Sequence, residues 1–134
     1  MSQPAFETLP ISSASDIVAV RQKTRELSIQ LKFTLVDQTK MVTAASELAR
    51  NALEHGQGGT CQIEVVKNGV RDGLRLLFQD HGPGIADLDL AMKDGYTTGS
   101  GLGLGLSGSK RLVNDFEIHS VPGQGTTVTI TRWK

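Results

Sequence analysis

Residues 95–108 read GYTTGSGLGLGLSG, and this run constrains the fold more than any other part of the 134-residue sequence. Six of its fourteen positions are glycine, and each glycine inside a helix or strand costs about 0.5–1 kcal/mol relative to alanine. We therefore expect a loop whose backbone is approached closely by something else. Helical periodicity resumes at Leu106, so the loop leads into a helix N-terminus, where backbone N–H groups favour an anion such as phosphate.

The composition excludes several classes of protein. Fourteen basic residues balance fourteen acidic ones, so no overall field attracts nucleic acid or an anionic membrane. Cys61 is the only cysteine, which excludes an internal disulfide and a multi-cysteine zinc site and suits a reducing compartment. The N-terminus lacks a leader pattern, and nowhere do 18 apolar residues run together. We expect one cytoplasmic domain over residues 1–134, with no nucleic-acid or membrane partner.

Hydrophobic periodicity predicts helices and strands that are segregated along the chain. Apolar residues recur every three or four positions over 13–32, with Ser13 or Ser15 as the cap, and again from Thr34 to a stop at Gly56. Apolar and polar residues then alternate in two strands. The remaining predicted features are a turn at Asn68-Gly69 or Asp72-Gly73, a short helix around 86–92, a helix from Leu106 to Phe116, and a closing hairpin around PGQG at 122–125. This order favours an α+β fold with helices on one face of a largely antiparallel sheet.

Two polar residues of the second helix can address one small site. Glu47 and Asn51 are four residues apart and therefore project from the same helix face. An amide oxygen suits Mg²⁺, which takes one or two protein ligands and completes its octahedron with water and phosphate oxygens. Glu47, one turn away, could accept a proton from an attacking hydroxyl. The alternative is a solvated helix face without function.

Asp80 ends the second predicted strand and is followed by the glycines of DHGPG. An ionised carboxylate only accepts hydrogen bonds, so Asp80 would favour a base with an exocyclic amine, such as adenine. Gly82 and Gly84 keep bulk away from whatever Asp80 meets. The alternative is that Asp80 caps a turn through its own side chain.

The glycine-rich run fits no standard phosphate-binding loop. Gly103 to Gly108 matches G-x-G-x-x-G literally, but no strand precedes it and no acidic residue follows about twenty positions later. A Walker loop and the protein-kinase signature set are both absent.

Four segments in order resemble the N, G1, G2 and closing boxes of the GHKL (Bergerat-fold) ATPases. They are ELARNA at 47–52, DHGPGI at 80–85, GLGLGL at 101–106 and GQGT at 123–126. The resemblance implies ATP as cofactor with Mg²⁺ and a two-layer α/β sandwich with a mostly antiparallel mixed sheet. The implied roles are Mg²⁺ binding by Asn51, adenine binding by Asp80 and Thr126, shaping of the base pocket by Gly82 and Gly84, and a flexible ATP lid at about 92–105 containing Gly101, Gly103 and Gly105.

Within that superfamily, residues 16–58 and 94–120 resemble the RsbT-type serine/threonine switch kinases of the bacterial stressosome. The resemblance implies that Glu47 deprotonates a serine or threonine on a STAS-domain scaffold or antagonist protein. The released kinase then activates a PP2C-type phosphatase. A cation should assist the transfer, and Arg50, His55 and Lys110 are the candidates, although each could equally be an ordinary solvated or helix-end residue.

One departure and several alternatives accompany this interpretation. Related anti-sigma kinases carry an arginine before the lid glycines, whereas this chain has Thr97-Thr98-Gly99-Ser100, so stabilisation of phosphate by the lid is in doubt. The alternatives are an anti-sigma factor that sequesters a sigma subunit, a non-catalytic partner-binding module, and a detached histidine-kinase catalytic domain. A homodimer is left open.

Overall fold

The computed structural model describes residues 6–85, 92 and 106–134, and the structural statements below concern those residues. In chain order their elements are β1 (Phe6–Ile11), α1 (Ala14–Gln30), α2 (Leu35–Glu54), β2 (Gly59–Asn68), β3 (Arg71–Asp80), α3 (Leu106–Arg111), β4 (Asp115–Val121) and β5 (Gly125–Trp133). The predicted short helix and the predicted lid lie outside the described residues, except for Met92.

The described strands form one sheet in the order β1-β2-β3-β5-β4, and each neighbouring pair is antiparallel. Asn68 pairs with Arg71 at the turn between β2 and β3, which confirms the Asn68-Gly69 turn. The alternative turn at Asp72-Gly73 is wrong, because both residues lie within β3. The closing hairpin around PGQG is confirmed by the pairing of β4 with β5.

The core lies between the helices and one face of the sheet. It is made of the alternate apolar residues of the strands and the inward stripe of α2. Its fully buried side chains include Met41, Leu48, Cys61, Ile63, Leu74, Leu76 and Ile130. The predicted α+β layer with helices on one face is thereby confirmed. Among the described helices, none is both long and apolar enough to cross a membrane.

Two elements differ from the expectation drawn from sequence. Periodicity assigned no strand to Phe6–Ile11, yet β1 pairs with β2 along its whole length. Pro10 obscures the pattern, since proline argues against a central strand, but it is tolerated here because β1 is an edge strand. The helix predicted from Leu106 to Phe116 is also too long: α3 ends at Arg111, and Phe116 lies in β4.

Candidate functional site

A cavity lies where the end of α2 meets the ends of β3 and β5. Its lining residues are Leu48, Asn51, Ala52, His55, Gly56, Phe78, Asp80, Gly84, Ile85, Leu106, Thr126 and Val128. Five of the predicted binding residues are thus brought together from three separate segments: Asn51, His55, Asp80, Gly84 and Thr126. A mostly apolar cleft with a few convergent polar groups is the usual form of a small-molecule site.

Asp80 is the last residue of β3, and its carboxylate is oriented by two backbone donors. Its Oδ1 accepts hydrogen bonds from the N–H of Gly82 at 3.0 Å and the N–H of Thr126 at 3.2 Å. The bond from Gly82 is the turn-capping interaction that was the alternative for this residue. Neither bond uses Oδ2, so that oxygen keeps its capacity to accept a hydrogen bond from a ligand.

The backbone packs closely around Asp80, and at two positions that lie beside it in space there is no room for a side chain. A Cβ on Gly56 would lie 2.3 Å from Asp80 Cγ, and one on Gly125 would lie 2.2 Å from the Asp80 carbonyl oxygen. Gly125 also has a φ of +116°, which L side chains rarely adopt. We use the name pocket wall for Gly56, Asp80 and Thr126, which line the cavity, together with Gly82 and Gly125, which pack against Asp80 behind it.

Ser120 belongs to this site although the sequence did not single it out. Its Oγ accepts a hydrogen bond from the N–H of Ile85 at 2.7 Å and lies 2.9 Å from Thr126 Oγ1. Ser120 thereby joins the loop after Asp80 to the closing hairpin. The available signal was the register of that hairpin, which places Ser120 directly opposite Thr126.

Glu47 lies one helical turn before Asn51 and is not among the residues that line the cavity. Its Oε1 accepts a hydrogen bond from Arg50 Nη1 at 2.7 Å, and Arg50 Nε lies 3.9 Å from Glu54 Oε2. We call Glu47, Arg50 and Glu54 the charged ridge of α2. Its three side chains are all partly exposed, so their ion pairs contribute little to stability. The guanidinium of Arg50, a candidate phosphate ligand, is engaged here by carboxylates.

Asn51 lies in the last turn of α2 and His55 directly follows the helix, and both line the cavity. The Asn51 carbonyl accepts the N–H of His55 at 2.9 Å and of Gly56 at 3.1 Å, which ends the helix. Among the described residues, no group of three or more His, Cys, Asp or Glu side chains could hold a metal. An amide on the cavity wall fits a Mg²⁺ ion that takes most of its ligands from phosphate and water.

The remaining predicted residues are placed elsewhere. Lys110 lies on α3 and lines a separate surface groove with Glu64, Arg75 and Phe116. Gly82 supports Asp80 without lining the cavity itself. Gly101, Gly103 and Gly105 lie outside the described residues, although Leu106, the next residue, is buried and lines the cavity.

Comparison with known families identifies the class of protein to which this fold and cavity belong. Residues 36–134 match the model of the histidine kinase-, DNA gyrase B- and HSP90-like ATPases. This match covers well over half of the chain. The chain therefore belongs to that ATPase family.

Two sequence relatives indicate which members of this ATPase family the chain resembles. The chain is 44% identical to the serine/threonine-protein kinase RsbT of Bacillus subtilis (strain 168) over 118 residues, which is 88% of this chain and 89% of that protein. It is 31% identical to the anti-sigma F factor of the same organism, over 77% of this chain and 74% of that protein. The predicted resemblance to RsbT-type kinases is confirmed, and the predicted enzyme class, protein-serine/threonine kinase, is that of the first relative.

Solved structures agree on the fold. The crystal structure of the RsbU and RsbW domains of a Mycobacterium tuberculosis protein superposes with a TM-score of 0.65 at 23% identity, covering 99% of this chain. This chain spans about a third of that longer chain, 33%. The catalytic domain of the histidine kinase ThkA superposes with a TM-score of 0.54 at 16% identity over 94% of this chain.

Proposed function

We propose that this chain is an ATP-dependent serine/threonine kinase that phosphorylates STAS-domain scaffold or antagonist proteins in a partner-switching pathway. The observation that carries the proposal is the convergence of Asn51, Asp80 and Thr126 on one cavity, with Glu47 one turn earlier on the same helix. The family membership and the 44% identical relative support the same activity.

The adenine end of the nucleotide is assigned to Asp80. Backbone N–H groups hold its Oδ1, so Oδ2 would accept a hydrogen bond from the exocyclic amine of adenine. Guanine presents a carbonyl oxygen at the corresponding position and would be repelled by the carboxylate. Apolar side chains of the cavity, including Phe78 and Val128, would cover the ring faces.

The phosphoryl end is assigned to α2. Mg²⁺ held by Asn51 would neutralise phosphate charge as the transfer proceeds. Arg50 occupies Oε1 of Glu47, which leaves Oε2 to take the proton of a serine or threonine hydroxyl. The hydroxyl oxygen then bonds to the γ-phosphorus, the bond from that phosphorus to the β,γ-bridging oxygen breaks, and ADP leaves with the electron pair.

Phosphorylation would place new negative charge in the interface between the kinase and its substrate. Like-charge repulsion and the cost of desolvating the phosphate then favour dissociation. The released kinase would activate a PP2C-type phosphatase, so that each phosphorylation event changes the partner that the kinase binds.

The test is phosphoryl transfer from ATP labelled at the γ-phosphate to purified STAS-domain proteins, with nucleotide affinity measured separately by calorimetry. Glu47→Gln should keep ATP affinity and lose about 10²- to 10⁴-fold in transfer rate, the usual contribution of a general base. Glu54→Gln is the matched control, because Glu54 also contacts Arg50 and lies on the same helix, and it should transfer at nearly the normal rate. Unchanged transfer by Glu47→Gln would remove the base assignment.

A second variant tests the adenine assignment. Asp80→Asn replaces the acceptor by a group that also donates, so it should abolish measurable ATP binding. Normal calorimetric affinity in this variant would contradict the role of Asp80.

A second candidate function is sequestration of a sigma subunit, which the 31% identity to an anti-sigma F factor favours. Capture experiments with purified partners separate the two functions. Retention of a STAS-domain protein supports the proposed kinase, whereas tight retention of a sigma subunit favours the anti-sigma factor. Binding to a STAS-domain protein without any phosphoryl transfer would favour a non-catalytic module.

A further inference from the structure

The connection between α1 and α2 exposes large apolar side chains to solvent. We call residues 29–36 the elbow. In the elbow, Ile29 is 55% exposed, Leu35 is 71% exposed and Val36 is 62% exposed, whereas Phe33 is only 4% exposed. Phe33 and the partly buried Leu31 therefore anchor the elbow to the core, while Ile29, Leu35 and Val36 face solvent.

The backbone of the elbow is held in place by specific hydrogen bonds. Thr34 Oγ1 accepts the N–H of Asp37 at 3.1 Å and caps α2, and the Gln38 side chain donates to the Phe33 carbonyl at 2.9 Å. The Phe33 N–H donates to the Ser28 carbonyl at 3.0 Å. The exposed side chains thus sit on an ordered backbone, and a surface of this kind loses little conformational entropy when a partner binds.

A straight line of side chains joins the elbow to the proposed catalytic base. Val36, Lys40, Thr43 and Glu47 follow at intervals of four, three and four residues along α2. At 100° per residue, the eleven positions from Val36 to Glu47 amount to three turns plus about 20°, so both residues lie on one face, roughly 16 Å apart along the axis. Thr43 is exposed and Lys40 is partly exposed, so the line is open to solvent along its length.

The charge of this surface is positive. Lys32 and Lys40 form no ion pair within the described part of the chain, and the carboxylate of Asp37, on which Lys40 acts only through its field, is held by Arg132 at 2.6 Å. Elsewhere the described lysines and arginines often pair with carboxylates, as Lys67 does with Asp72 at 3.1 Å. A partner that carries apolar side chains beside carboxylates would complement the elbow.

We propose that the elbow and the Val36–Glu47 line are the docking site for the protein that this kinase phosphorylates. The inference rests on the proposed kinase function, because it needs an acceptor hydroxyl at Glu47. A standard interface covers about 800 Å² on each partner, a patch roughly 30 Å across. One acceptor protein can therefore contact the elbow and place its hydroxyl beside Glu47 at the same time.

The experiment compares variants of the full chain in transfer to the STAS-domain protein that the unsubstituted chain phosphorylates. The double variant Leu35→Ser, Val36→Ser should raise KM for that protein about 10-fold, because it removes apolar surface that the bound partner would bury. Its kcat at saturation and its ATP affinity should not change. Val70→Ser is the matched control, since Val70 is 101% exposed at the distant turn between β2 and β3, and it should leave KM unchanged.

A charge variant tests the second feature of the surface. Lys40→Glu should also raise KM for the acceptor protein, and the difference from the unsubstituted chain should shrink as salt is increased. If neither Lys40→Glu nor the double variant changes KM, the docking site is overturned while the kinase function stands.

Two further outcomes also decide against the inference. If light scattering shows that the unsubstituted chain is a dimer and that the double variant is a monomer, the elbow is a contact between two copies of this chain. If the unsubstituted chain transfers phosphate to no STAS-domain protein, the proposed function fails and the docking site falls with it.

Discussion

The pocket wall around Asp80 and the charged ridge of α2 serve the same proposed site but depend on different kinds of contact. In the pocket wall, the end of α2, the end of β3 and the start of β5 meet at distances that leave no room for a single methyl group on Gly56 or Gly125. In the charged ridge, Glu47, Arg50 and Glu54 belong to one helix and meet across one turn.

Because of this difference, the pocket wall has a fixed geometry, whereas the side chains of the charged ridge can rearrange. The pocket wall is fixed by long-range packing and by hydrogen bonds to the backbone, so its geometry changes only if the sheet or helix shifts. The charged ridge is made of flexible, partly exposed side chains whose pairing costs little to rearrange. A fixed base pocket and an adjustable acid-base residue suit an enzyme that binds one nucleotide but must receive a protein substrate.

The largest effect on folding is expected from a methyl group placed in the pocket wall. In Gly125→Ala the new Cβ would collide with the Asp80 carbonyl, at a residue whose φ of +116° already disfavours alanine. We expect a loss of about 3 kcal/mol in the free energy of unfolding from overpacking and backbone strain together, with loss of ATP binding. Urea denaturation and calorimetry measure the two effects.

Gly108→Ala is the matched control for this prediction. A Cβ at Gly108, within α3, would meet nothing within 4 Å. Alanine should therefore stabilise the protein by up to about 1 kcal/mol through its helix propensity. Equal effects of the two substitutions would show that the close packing around Asp80 has no energetic consequence.

The same contrast explains what could be predicted from the sequence. Glu47 and Asn51 were placed on one face by helical spacing alone, since local geometry fixes that relation. The meeting of Asn51 with Asp80 and Thr126 came only through family resemblance, because no local rule brings residues 29 and 46 positions apart together. Ser120 was not predicted, and Gly56 was predicted only as the end of a helix, since their roles in the site depend on the register of a hairpin and on the approach of Gly56 to Asp80.

Arg132 makes contacts that connect the sheet to α2 and to the residue after α3, and they share features with both the pocket wall and the charged ridge. Arg132 on β5 donates to Asp37 Oδ1, in the first turn of α2, at 2.6 Å, and to the Leu112 carbonyl, just after α3, at 2.8 Å. The contact is long-range, like the pocket wall, but it is made by charged side chains, like the ridge. The hydrogen bond that Arg132 donates to the Asp37 carboxylate holds the pKa of Asp37 below its ordinary value of 3.8.

Asp37→Asn should therefore cost about 1.5–3 kcal/mol of stability at pH 7, the usual range for hydrogen bonds to charged groups. Because the folded state depresses the pKa of Asp37, the contribution of this carboxylate is fully present above pH 3.8 and is lost as the pH falls further. The difference in unfolding free energy between the two proteins should thus shrink in acid. A difference that stays constant down to pH 2 would show that the ionised pair is not its source.

The smallest effect on folding is expected from the charged ridge. Arg50→Ala removes ion pairs to Glu47 and Glu54 at three- and four-residue spacings on an exposed helix face, where such pairs contribute about 0.3–0.5 kcal/mol. Screening should reduce this cost further in 1 M NaCl, because the Debye length falls to about 3 Å. A cost above about 1.5 kcal/mol in urea denaturation, unaffected by salt, would mean that the ridge is packed as tightly as the pocket wall. The proposed division between a fixed pocket and an adjustable base would then be wrong.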